Sequence, residues 1–114
     1  MANVYKVTPK LISVDTIADV YEVPTATTSI IRSISVYNTD SSTMNVTLSV
    51  YDTSATTRFT YDYKAALAAT TKFEFLNSSN SILLVLEEAD KLQVTCSTTG
   101  GLNLIVSTLE MSRS

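Results

Sequence analysis

Apolar and polar residues alternate with a period of two through most of the chain, the pattern of β-strands with one buried face. In residues 44–51, Met44, Val46, Leu48 and Val50 share one face, and Asn45, Thr47, Ser49 and Tyr51 the other. Residues 91–96 repeat the pattern, with Leu92, Val94 and Cys96 opposite Gln93 and Thr95. Residues 10–14 and 17–23 read as two short strands, the second ended by Pro24, which cannot donate to a ladder. Across residues 29–38, Ile30, Ile34 and Val36 make the richer apolar face and are assigned to the core, leaving Arg32 near its rim or paired. Residues 58–63 place Phe59, Tyr61 and Tyr63 on one side. Residues 64–70 are helix-permissive but too short to hold a helix alone, so they read as a single turn or irregular connection. Strands at 72–76, 82–87 (buried) and 102–111 complete the set.

Turn-forming clusters at 38–43, 52–57, 77–80, 87–90 and 97–101 separate these segments. The pattern predicts an all-β chain: a single antiparallel β-sandwich of about eight strands, jelly-roll or Ig-like, over residues 10–114. Residues 1–9 lead into it as an extended N-terminal arm.

Composition narrows the chemistry. The 114 residues include no His, no Trp and a single Cys. Without imidazole there is no Ser-His-Asp or Cys-His nucleophile, and one cysteine cannot anchor a zinc or iron–sulfur site. No Gly-x-Ser-x-Gly elbow or Ser-x-x-Lys motif activates any of the 33 serines and threonines. Those hydroxyls sit at alternate strand positions and in turns, where Thr favours the extended chain and both residues face water. The chain reads as a non-enzyme without cofactor or metal. Net charge is −3 with basic residues scattered singly, which disfavours nucleic acid as a partner. No apolar run approaches the length of a membrane span, and the N-terminus lacks the apolar core of a secretory signal. The reading is synthesis in a cytoplasm, which suits the lone cysteine.

A longer pattern covers residues 21–110. It begins Tyr21-Glu22-Val23-Pro24, continues Thr27-Thr28-Ser29-Ile30-Ile31-Arg32-Ser33-Ile34 and then Ser35-Val36-Tyr37-Asn38. A hairpin Leu86-Glu87-Glu88-Ala89-Asp90-Lys91-Leu92-Gln93-Val94 and a closing Ser107-Thr108-Leu109-Glu110 follow. In this order and spacing the chain resembles small accessory structural proteins of tailed bacteriophages of the marine and cyanobacterial type. The resemblance implies a virion component, made in the host bacterial cytoplasm. It implies a capsid decoration (cement) or neck and tail accessory subunit whose partners are other virion proteins. A receptor- or glycan-binding module of a tail fibre or tip, using the 38–43 and 53–57 loops, is the alternative. Ala89 stands where the resembled hairpin has Gly, and a non-Gly residue at positive φ costs about 1–2 kcal/mol.

Three groups of residues are candidates for an interface. Val4, Tyr5 and Val7 lie in the arm. Tyr37 and Tyr51 fall on the polar faces of two long strands and are read as exposed neighbours. Ile105, Leu109 and Met111 make the last strand half apolar on its second face, as in a strand that packs on a neighbour. Uncharged Ser/Thr faces do little to block edge pairing, so a homo-oligomer is expected. Glu87, Glu88 and Asp90 form an acidic cluster without calcium-loop spacing and read as a solvated turn. Cys96, alternating with Leu92 and Val94, reads as a buried hydrophobe.

Overall fold

The structure, a computed structural model, describes residues 3–12, 17–76, 84–97 and 101–112. All regular structure within them is β. The strands are β1 (Asn3–Ile12), β2 (Ala18–Glu22), β3 (Thr27–Asn38), β4 (Met44–Asp52), β5 (Thr57–Leu67), β6 (Lys72–Leu76), β7 (Leu84–Leu86), β8 (Lys91–Cys96) and β9 (Leu102–Ser112). They form two antiparallel sheets packed as a sandwich. The five-stranded sheet runs β1-β9-β3-β6, with β7 also on β3, and the four-stranded sheet runs β2-β8-β4-β5.

β6 pairs with Ile34–Tyr37 of β3 and β7 with Ser29–Ile31, both antiparallel. The two are therefore collinear halves of one edge strand. Every chain step between consecutive strands crosses from sheet to sheet, except β4 to β5 and β6 to β7. That wrapping is a jelly roll, which decides the connectivity left open by the sequence. The expected lead and first strand are one continuous strand, β1, paired with β9 from Asn3 to Ile12. Ser13, Val14, the 77–80 turn and most of the 97–101 turn lie outside the described residues.

Alternation predicts the inner faces of β4, β8 and β9 correctly: Met44, Val46, Leu48, Leu92, Val94, Cys96, Leu102, Leu104 and Val106 are all buried. It fails where bulges intervene. In β3 the register against β9 slips between Ile31 and Ser33, leaving Arg32 as the extra residue. Ile31 therefore joins Ile34 and Val36 in the core at 0% exposure, and Ile30 turns outward. A side-chain period of two makes a one-residue slip exchange the faces.

β5 carries two bulges. At the first, Leu48 faces Asp62 and Ser49 faces Thr60, so Tyr61 is extra. Phe59 then pairs with Val50 on the inward side while Tyr63 pairs with Thr47 on the outward side, so the three aromatics do not share one face. At the second bulge Ala66 takes φ 54° and its N–H donates to Asn45 Oδ1 at 2.9 Å. This keeps residues 64–67 in the strand instead of the expected irregular connection, and Leu67 reaches the core.

Among the described residues left-handed backbone is supplied without glycine: Ala26, Thr56, Ala66, Thr70 and Ala89 all have positive φ. Ala89 (φ 71°) adopts the conformation that Gly would take more easily. Gly101 does not use positive φ; a Cβ there would fall 1.9 Å from Thr39 Oγ1, so its role is close approach.

Two buried polar groups tie the sandwich together. Asn38, fully buried at the end of β3, reaches Ser42 O (2.9 Å), Leu67 O (3.0 Å) and Ala68 O (3.2 Å) through Nδ2, and accepts from the Asp40 N–H at 2.8 Å. One amide thus joins the β3–β4 turn to the end of β5. Tyr21 crosses between the sheets: from β2 its hydroxyl donates to Glu110 of β9 and lies 2.6 Å from Ser29 Oγ of β3. Its single proton goes to Glu110, so Ser29 is the donor in the second contact. Burial first, and then the bond to Glu110, push the Tyr21 phenol up to about 12.

Asn38→Ala leaves carbonyls and an N–H buried without partners, and unfolding in urea should show a loss of about 3 kcal/mol. A loss below about 1 kcal/mol would show that the amide does not hold these turns. For Tyr21 the folded chain favours the neutral phenol, so its contribution is complete below the unfolded value of about 10 and disappears as pH rises from there through about 12. The stability advantage of the native chain over Tyr21→Phe should therefore be constant at neutral pH and shrink in alkaline urea titrations. An advantage independent of pH up to about 12 would contradict the inter-sheet bond.

Candidate functional site: the outer face of the five-stranded sheet

Strand register decides what this sheet shows to solvent. Residues paired across antiparallel strands project from the same face. Tyr5 of β1 pairs with Leu109 of β9, Leu109 with Ile30 of β3, and Ile30 with Val85 of β7. One row of four apolar side chains therefore crosses four strands on the outward face. Tyr5 is 70% exposed and Val85 57%, while Leu109 and Ile30 are half-buried between them.

Neighbouring rows extend the band. Val7 stands beside Ser107 and Ser33, Pro9 beside Ile105 and Ser35, and Met111 beside Asn3 and Thr28. Leu11, Asn103 and Tyr37 form a further row, at the far end of which Lys72 brings the charge of the rim. The bulged Arg32 lies over the band's edge, its guanidinium carbon 5.4 Å from the centre of the Tyr5 ring. There it covers part of the ring through a cation–π contact.

The outer face of the other sheet is different. Its rows read Glu22–Lys91–Tyr51–Arg58 and Asp19–Gln93–Ser49–Thr60. Lys91 lies 3.5 Å from Asp19, and Gln93 Nε2 donates to Asp19 Oδ1 at 2.7 Å. The four-stranded sheet thus shows two rows with charged residues, paired around Asp19, and one uncharged row, Thr95–Thr47–Tyr63. The five-stranded sheet shows an apolar row across its strands, with Glu74 and Lys72 at its β6 edge.

Six of the sequence-selected residues come together on the apolar side: Tyr5, Val7, Tyr37, Ile105, Leu109 and Met111. Val4 does not; it faces the opposite way, paired with Glu110. Tyr37 and Tyr51 are not neighbours, since β3 and β4 belong to different sheets and Tyr51 lies on the charged side beside Lys91. Ile30 and Val85 complete the row but were missed by strict alternation, which sends Ile30 inward and reads residues 82–87 as buried. The available signal was Arg32, a charge at an inward position of an apolar run, where an extra residue is the cheaper solution.

The other candidates resolve into structure. Asp90 is nearly buried, and its carboxylate accepts from the N–H groups of Glu87 (3.0 Å) and Thr53 (3.2 Å), joining two turns. The Asp52 carboxyl is held below its usual range by the Ser54 hydroxyl. Asn38 of the 38–43 loop is spent on the interior bonds described above. Between the β5 and β7 edges a cleft of about 350 Å³ is lined by Val50, Phe59, Tyr61, Leu84 and Leu86. Cys96 is 1% exposed. Among the described residues no group of three or more His, Cys, Asp or Glu is placed to hold a metal.

No protein-family model matches the chain, and no curated protein matches it. Among solved structures, a chain from the Bacillus endospore appendages, described as a novel family of disulfide-linked pili, is similar over 99% of this chain and 88% of its own. The TM-score is 0.52 and the identity 12%. This finding overturns the bacteriophage resemblance. The motif order on which that resemblance rested belongs to strands and turns of a jelly roll, which unrelated chains can share. The capsid decoration or neck and tail role, the tail-fibre adhesin alternative, the virion partners and the virion location are withdrawn with it. The likeness establishes that this chain has the fold of a spore-appendage protein.

Proposed function

We propose that the chain is a non-enzymatic structural subunit that assembles with copies of itself. The observation that carries this reading is the register-aligned row Tyr5–Leu109–Ile30–Val85 on an outward sheet face. A solvent-facing strand position is ordinarily polar, and contiguous apolar surface on a small domain marks an interaction site. The fold supports the same reading: the similar chain belongs to proteins that form pili. The residue inventory agrees, since a chain with no His lacks the commonest general base.

The proposed assembly differs from the similar pili in one chemical respect. Those are disulfide-linked. The single cysteine here, Cys96, points into the core between the sheets. A thiol so placed cannot reach another chain without opening β8, because a disulfide needs Cα atoms within about 7 Å. Contacts between these subunits are therefore noncovalent, and burial of apolar area drives them.

Sedimentation of the purified chain over a concentration series should show assembly into species larger than a monomer. Excess dithiothreitol should leave the distribution unchanged, and Cys96→Ala should assemble as the native chain does. A clean monomer at tens of micromolar would contradict self-assembly. Dissolution by reductant alone would contradict the noncovalent contact.

A further inference from the structure

We infer that the outer face of the five-stranded sheet is an isologous contact: it packs face to face on the same face of a second copy. The inference rests on the self-assembly reading and names the surface and symmetry of one of its contacts.

Three features point to a second copy as the occupant. The first is extent. Strands about 4.8 Å apart rising about 3.3 Å per residue make four strands of about nine residues a face of roughly 15 × 30 Å. That footprint is about 450 Å² per partner before side-chain relief, which places the contact at the small end of specific interfaces.

The second is the mismatch with the molecule's other broad surface. A head-to-tail stack would press the apolar row against the row Glu22–Lys91–Tyr51–Arg58 of the next copy. That would take charges out of water with nothing to receive them. The surface on this chain that matches an apolar sheet face is that face itself, and a patch that pairs with itself does so about a two-fold axis.

The third is charge. No residue of the row Tyr5–Leu109–Ile30–Val85 is charged. The one charge above it is Arg32, whose guanidinium carbon lies 5.4 Å from the centre of the Tyr5 ring, so a cation–π contact within the face partly offsets it. The packed sheets would interleave their outer side chains about 10 Å apart with strands near-aligned, as the two sheets inside the sandwich do.

The edges of the fold favour this face over strand addition. β1 carries Lys6, Pro9 and Lys10, β2 is short and bulged, β5 is bulged twice, and the β6/β7 edge is two short strands with Lys72 and Glu74 in β6. These are the devices that discourage edge pairing. The row Tyr5–Leu109–Ile30–Val85 carries no such guard in its own residues.

The test uses the full chain with two row variants, Tyr5→Lys and Val85→Lys, and a control on the opposite face, Thr47→Lys. Tyr5 and Val85 are exposed and Thr47 partly so, and all three variants should stay folded, with only Tyr5→Lys losing a little stability through its contact with Arg32. Each substitution occurs twice in a two-fold contact, so the row variants should weaken the dimer step in sedimentation by roughly 100-fold or more, and the control should not. In a Cys96→Ala background, Ile30→Cys should give a dimer with a short bis-maleimide, because facing sheets stand beyond direct disulfide reach. Thr47→Cys should not. If the native chain assembles and the row variants assemble equally, or Thr47→Lys disrupts as strongly, the face is not the contact and the inference fails while self-assembly stands. A native chain that stays monomeric throughout overturns both.

Discussion

One extra residue in β3 governs both sides of the five-stranded sheet. β3 lies between β9 on one side and β6 and β7 on the other, so its register sets the facing of every row that crosses the sheet. The bulge at Arg32 lets Ile31 and Ile34 enter the core together and turns Ile30 outward into line with Leu109 and Val85. Without the slip, Ile30 would be buried and the row across the outer face would break at its centre. Core packing and surface character are therefore set by the same irregularity, and the bulged residue is the one that can reach Tyr5.

The rest of the fold holds that arrangement in place. Tyr21 ties β2 to β3 and β9 close to the row's own strands, with Ser29 and Glu110 paired neighbours in the sheet. Asn38 fixes the opposite end of β3 to the β3–β4 turn and to β5. Both are interior polar groups whose hydrogen-bonding capacity is met, which makes them specific fasteners where apolar contact alone would allow sliding. Positive φ at Ala26, Thr56, Thr70 and Ala89 adds rigidity to their turns at some local strain, since alanine and threonine have fewer conformations than glycine to lose on folding.

Much of this was legible in the sequence, for a physical reason. Where a strand runs unbroken beside its partners, burial on one face imposes strict alternation, and the inner faces of β4, β8 and β9 follow from it residue by residue. Bulges leave no such imprint. Phe59, Tyr61 and Tyr63 look like one aromatic face because nothing in their spacing reveals that Tyr61 is extra. Jelly-roll wrapping was likewise invisible, because it depends on which sheet each strand joins and not on its pattern. Six of the selected residues share one sheet face in part because β9 is apolar on both faces, a local signal; Tyr51 lies on the other sheet because sheet membership is not local. The phage resemblance failed for a related reason: short strand-and-turn motifs record the fold more than the lineage.

The proposed assembly rests on an apolar row on the outer face of a jelly roll whose one thiol, Cys96, is buried in the core. The register of β3 is the point on which that account turns, and a pair of charge insertions at adjacent positions tests it most directly. Measured by circular-dichroism melting and sedimentation together, Ile30→Lys should fold with near-native stability and lose assembly, while Ile31→Lys should fail to fold. The reverse result, with Ile31→Lys folded and Ile30→Lys unfolded, would place Ile30 in the core and contradict the account.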